Sequence, residues 1–114
     1  MSKPILTDVA KFLGFDDNYA PFADMICMHI NSEISKLVQL GVIDAAAGNI
    51  EIEDDTVLWS DILPDENRLS MAKTYVKLGV RLVWDPPTSS ALLDALKAEK
   101  DECEWRAKVA METP

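Results

Sequence analysis

The sequence predicts an all-α fold, a small bundle of four to five helices in a single domain spanning residues 1–114. Three observations predict it. Apolar residues recur at spacings of three and four along 21–40 and 66–84, the period of a helix with one buried face. Gly14, Gly41 and the Pro86-Pro87 pair punctuate those stretches where a helix would have to stop. Apolar–polar alternation, the mark of a strand, is confined to Ile50-Glu51-Ile52-Glu53.

The first helix is short. Thr7 is placed to cap it, Asp8 suits its first turn, and Gly14 is placed to take the left-handed position after its end. Asp16, Asp17 and Asn18 form a polar turn. Pro21 opens the second helix, with Phe22, Met25, Ile26, His29, Ile30, Ile34, Leu37 and Val38 on its apolar stripe and Asp24, Asn31, Ser35 and Gln39 opposite. Leu40-Gly41 closes it. Residues 44–56 form a long acidic loop with a strand-like arm at Ile50–Glu53, and connections of this length in a small domain are often functional. A short helix over 56–63 follows, with Leu58, Trp59, Ile62 and Leu63 apolar, and Pro64 interrupts it.

A central helix is expected over about 66–84. Leu69, Ala72, Tyr75, Val76, Gly79, Val80 and Val83 make one stripe, and Met71, Leu78 and Leu82 widen it. Only Lys73, Lys77 and Arg81 charge the remaining face. Gly79 costs about 1 kcal/mol against alanine in a helix interior, which a close helix crossing would explain. Asp85-Pro86-Pro87 breaks the chain, and Thr88 or Ser89 caps a last helix over about 90–111, with Leu92, Leu93, Leu96, Cys103, Trp105 and Ala107 as its apolar contacts. Its far half carries so much charge that it is expected to bury little and to project.

Composition bounds the function. Hydrophobic residues make up 48% and charged residues 27%, an ordinary globular balance. Eleven basic against twenty acidic residues give a net charge of −9, which repels nucleic-acid phosphates and anionic lipid. Nothing approaches the ~18 consecutive apolar residues of a membrane span. Met-Ser-Lys-Pro is not the start of a signal peptide, so Cys27 and Cys103 are expected as buried thiols.

Chemistry-bearing patterns are sparse. His29 falls on an apolar face and reads as a core or half-buried histidine. Cys27, His29 and Cys103 make a poor zinc set: Cys-x-His on a helix points its side chains apart and a fourth ligand is missing. Glu51, Glu53, Asp54 and Asp55 lack the glycine and terminal glutamate of a calcium loop. The four glycines are isolated, so no phosphate loop is present. No catalytic, cofactor or metal residue is expected, and no enzyme. Met25, Met28 and Met71 read as core fillers. The Lys73, Lys77, Arg81 stripe reads as a solvated face, or as one meeting acidic surface on a neighbouring subunit. DNA contact is the weakest of its readings.

Read together, the helix ending in Gln39-Leu40-Gly41, the acidic loop and Trp59-Ser60-Asp61-Ile62-Leu63 form one run. Lys73-Thr74-Tyr75-Val76, Asp85-Pro86-Pro87-Thr88-Ser89-Ser90 and Glu104-Trp105-Arg106 continue it. The whole resembles the head–tail connector (adaptor) proteins of tailed bacteriophages over about residues 5–110, with least to match in the loop. The resemblance implies a structural virion subunit without cofactor, assembled in the bacterial host cytoplasm and located at the neck. It implies a ring, commonly of twelve, between the portal and the head-closure or tail-completion protein, with DNA as a non-specific passenger in the lumen and no membrane partner. It places portal docking on the last helix, where Glu104, Trp105, Arg106 and Lys108 are the candidates, and neck contacts on the loop at Ile50, Ile52, Asp54 and Asp55. A cyclic ring needs two different patches that meet head to tail. Lys73, Lys77 and Arg81 are candidates for one, and Asp94, Asp101 and Glu102 for the other. The alternative is a helical adaptor or regulatory domain that binds a single host protein.

Overall fold

The N-terminal segment enters the fold extended and is pinned to the middle of the chain. In the computed structural model, which describes residues 2–67 and 69–112, Ile5 N–H donates to Val57 O at 3.0 Å and Trp59 N–H to Lys3 O at 3.1 Å. Pro4 and Leu58 thereby form an antiparallel bridge. Helix α1 (Ile5–Phe12) starts as the chain leaves Pro4, so Thr7 lies inside the helix rather than capping it. Its hydroxyl is 3.1 Å from that of Tyr19. Ile5, Leu6, Val9 and Ala10 are buried, one face of two turns.

Gly14 ends α1 as expected. Its φ of 98° lets Gly14 N–H reach Lys11 O and Phe15 N–H reach Ala10 O, both at 3.0 Å, the paired bonds of a Schellman close. A 3₁₀ turn (Ala20–Phe22) leads into α2 (Ala23–Gln39). Gly41, with φ of 81°, closes α2 in the same way through Gly41 N–H to Val38 O at 3.0 Å and Val42 N–H to Leu37 O at 2.9 Å.

The loop after α2 holds a single turn, α3 (Ala45–Gly48). The strand-like arm does not form a strand. Ile52 instead bonds the Asn31 side chain: its N–H donates to Oδ1 at 2.9 Å, and Asn31 Nδ2 donates to its carbonyl at 3.0 Å. The carboxamide presents one acceptor and one donor, as the edge of a neighbouring strand would. A second single turn, α4 (Trp59–Ile62), is closed at its start by Leu58 N–H donating to Asp61 Oδ2 at 2.8 Å.

Helix α5 (Ser70–Trp84) starts later than expected, because residues 64–67 form a turn. It packs on α1, α2 and α6 and is the central helix of the bundle. Ala72, Tyr75, Val76, Leu78, Gly79 and Val80 are buried on it. Each Val, Leu or Ile buried in this core contributes roughly 1.5–3 kcal/mol of transfer free energy.

Helix α6 (Ser90–Glu112) is entered through Ser89, whose Oγ accepts Leu92 N–H at 3.4 Å. One expectation changes here. The charged far half is the half that carries the buried residues of α6, Cys103 and Ala107, whereas the near half buries none. Small side chains let the far half lie close along α5 despite the charge around it. Trp105, expected as an apolar contact, is 65% exposed. Met25 and Met28 likewise lie exposed rather than filling the core. The described residues thus form four α-helices of two turns or more, two single α-turns and one 3₁₀ turn, an all-helical bundle.

Candidate functional site

Two charged nodes hold the helices together. Asp8 Oδ2 accepts the Trp59 indole N–H at 2.9 Å and lies 2.9 Å from Lys77 Nζ, which joins α1, α4 and α5. Burial pushes the Asp8 carboxyl up. The bonds from Lys77 and Trp59 and the charge of Lys77 outweigh this and leave it below its ordinary value. Glu33 is the second node. Its side chain is 3% exposed, with Lys36 Nζ at 2.7 Å from Oε2 and Lys100 Nζ at 2.7 Å from Oε1. The Lys100 ammonium also stands 4.6 Å from the centre of the Tyr75 ring. This node sits on Gly79, where a β-carbon would collide with the Glu33 carboxylate. Where a close helix crossing is expected at Gly79, what fills the space is instead a side chain, the Glu33 carboxylate, with its counter-ion on α6.

The basic stripe is partly spent within the chain. Lys73 pairs with Glu66 at 2.9 Å, Lys77 with Asp8, and Arg81 Nε donates to Asp85 O at 3.3 Å. Asp94, Asp101 and Glu102 lie exposed on α6, and Glu102 Oε1 accepts from Arg106 at 2.8 and 3.0 Å. Of the docking candidates, Trp105, Arg106 and Lys108 are exposed while Glu104 is half-buried. In the loop, Ile50, Asp54 and Asp55 are exposed, and Asp54 accepts from both the amide and the hydroxyl of Thr56. Those bonds hold its carboxyl below the ordinary value. Ile52 is 1% exposed and belongs to the core, so it is not an available loop contact. Ile52 alone of the arm turns inward, where both of its backbone groups bond the Asn31 side chain.

A cleft of about 400 Å³ lies between α2 and the arm, lined by Asp24, Cys27, Met28, Asn31, Glu51, Ile52 and Glu53. Burial, with the charges of Asp24, Asp54 and Glu53, pushes the Cys27 thiol up to about 11, so it stays protonated at neutral pH. His29 stands apart, edge-on to Trp84 at 6.4 Å in a cluster with Phe15 and Phe22. Among the described residues no group of His, Cys, Asp and Glu is placed to hold a metal ion, and no helix is long and apolar enough to cross a membrane.

Sequence reasoning missed Glu33 and Lys100. The signal for Glu33 was present: it falls three residues after Ile30 and four before Leu37, on the apolar stripe itself.

The fold and these sites define a small all-α protein whose internal charges serve packing and whose last helix turns a tryptophan outward. Comparison with protein-family models gives a match to the phage connector protein family over residues 5–114, and the chain belongs to that family. It is accordingly a structural connector of a phage. No curated protein and no solved structure matches the chain.

Proposed function

We propose that the chain assembles as a ring, twelve-fold in the virion, between the portal and the head-closure or tail-completion protein, at the neck of the particle. The observation that carries this reading is Trp105, 65% exposed on a helix otherwise packed along α5. Exposed tryptophan is uncommon on a lone surface and is enriched where proteins meet. Trp105, Arg106 and Lys108 dock the portal, and Ile50, Asp54 and Asp55 meet the next neck component.

Around the ring, Asp94, Asp101 and Glu102 of one subunit face the Lys73, Lys77, Arg81 side of the next. Lys73 and Lys77 already hold carboxylates of their own chain, so Arg81 has the most charge to offer a neighbour. Such charges set register more than affinity. Twelve chains carry on the order of −108 in formal charge, which suits a lumen through which DNA passes without adhering.

The test is to mix the chain with the cognate portal and follow complex formation by light scattering and electron microscopy. A ring seated on the portal is expected. Trp105→Ala should weaken it by roughly tenfold or more. No complex at any salt concentration, with capture of a single host protein instead, would overturn the reading.

A further inference from the structure

Helix α6 has two apolar faces. One is the packed face, with Leu96, Cys103 and Ala107. The other faces away from the bundle and carries Ala91, Ala95, Ala98, Glu102, Trp105 and Val109, all exposed. Their spacing is 4, 3, 4, 3, 4, the seam of a helix that packs on another helix knobs-into-holes. Apart from Glu102, the seam divides by size: three alanines in the near half, then Trp105 and Val109. Its flanks divide by charge, with Asp94, Glu99 and Asp101 beside the near and middle part and Arg106 and Lys108 beside the far part.

We propose that this face pairs antiparallel with the same helix of a second copy. An antiparallel two-fold sets Ala91 against Val109, Ala95 against Trp105 and Ala98 against Glu102, each met twice. Large side chains then fall opposite small ones. On one flank Asp94 meets Lys108 of the other copy, again twice. A parallel pair would set Trp105 on Trp105 and Lys108 on Lys108. The interface is isologous, so it closes at two copies. At its centre Glu99 and Asp101 face their own counterparts, and each chain carries −9. The dimer therefore tightens as salt screens the repulsion. Pairing itself does not depend on the connector reading. Where that reading holds, the dimer covers Trp105 and Lys108 and excludes portal docking.

Sedimentation equilibrium of the full chain tests this across protein concentration and salt. A monomer–dimer equilibrium that strengthens with salt is expected. Ala95→Glu places an acid on an exposed seam position and should weaken the dimer by roughly tenfold or more, with the circular dichroism spectrum kept. Asp101→Asn should tighten it. Lys108→Glu should loosen it, and adding Asp94→Lys should restore it. Spin labels at Ala91→Cys should lie ~27 Å or more apart across the dimer, eighteen residues of helix rise. A strict monomer in high salt, a dimer indifferent to Ala95→Glu, or a short distance between those labels would each overturn the proposal. Failure of the monomeric Ala95→Glu chain to bind the portal would count against the connector reading alone, since nothing then covers Trp105 and Lys108.

Discussion

The carboxylate of Glu33 occupies the space that a β-carbon on residue 79 would need. Glycine at the middle of α5 is therefore a seat for a buried charge. Alanine there would ordinarily gain about 1 kcal/mol of helix propensity. Here Gly79→Ala should instead destabilise by about 2–3 kcal/mol, because the carboxylate must leave its lysines or the helices must part. Urea denaturation checks this. The Glu33→Ala, Gly79→Ala double variant should cost less than the sum of the singles, since the collision disappears with the carboxylate.

Lys100 is the partner of Glu33 that comes from α6. Lys100→Met keeps much of the stem over Tyr75 and removes the ammonium. It should cost about 2–4 kcal/mol, toward the low end of a broken buried pair because Lys36 remains. Hydrogen exchange should show the loss first along α6, with α1 and α2 protected. Uniform loss of protection would contradict the role given to this contact.

Asp8 predicts an acid limb of stability. Its folded-state pKa is lowered, so the deprotonated group stabilises the fold above the unfolded value of about 3.9. That contribution is lost as pH falls through the unfolded value toward the lower folded one. Asp54 and Glu66 act in the same sense. The denaturation midpoint should fall from pH 6 to pH 3, and Asp8→Asn should flatten part of that fall while lowering stability at pH 6.

The thiols and Tyr75 predict an alkaline limb. Burial pushes Cys27 up to about 11, Tyr75 up to about 12, and Cys103 above its ordinary value. The fold favours their protonated forms. The unfolded chain deprotonates first, so stability falls as pH rises past about 9. At pH 8 both cysteines should react with a thiol reagent far more slowly in the native chain than in urea.

Asn31 predicts the order of the acidic arm. Asn31→Ala removes both bonds to Ile52 and should cost about 2–3 kcal/mol, with the Ile52 amide exchanging near the rate of an exposed one. Asn31→Asp keeps the acceptor for Ile52 N–H and turns an oxygen toward its carbonyl. It should fall between wild type and alanine at neutral pH.

Much of this architecture is legible locally. Gly14 and Gly41 announce their left-handed closes because only glycine takes that backbone cheaply. Asp85-Pro86-Pro87 announces the break before α6, and Gly79 announces a close approach. What escapes local reading is pairing across the fold. A glutamate on an apolar stripe is costly until a lysine sixty-seven residues away is placed beside it, and no period along one helix names that lysine. Trp105 is different. It lies two residues from both Cys103 and Ala107, which puts it on the opposite side of the helix, so its outward direction follows once Cys103 and Ala107 are known to face inward. The size and charge division of the outer seam of α6 is likewise written in the sequence, but its meaning depends on knowing which face the bundle leaves open.

The tie between Lys3–Ile5 and Val57–Trp59 bears on how quickly the chain reaches this arrangement. Helical bundles usually assemble fast because each helix first meets its neighbour in sequence. Here α1 is complete only when a segment some fifty residues later returns to it, and the Asp8 node waits longer still for Lys77. Those closures must be made before their bonds repay the lost chain freedom. On a ribosome, the first helix could meet α2 early, but the partners that tie down its N-terminal end and Asp8 would follow only with the second half of the polypeptide.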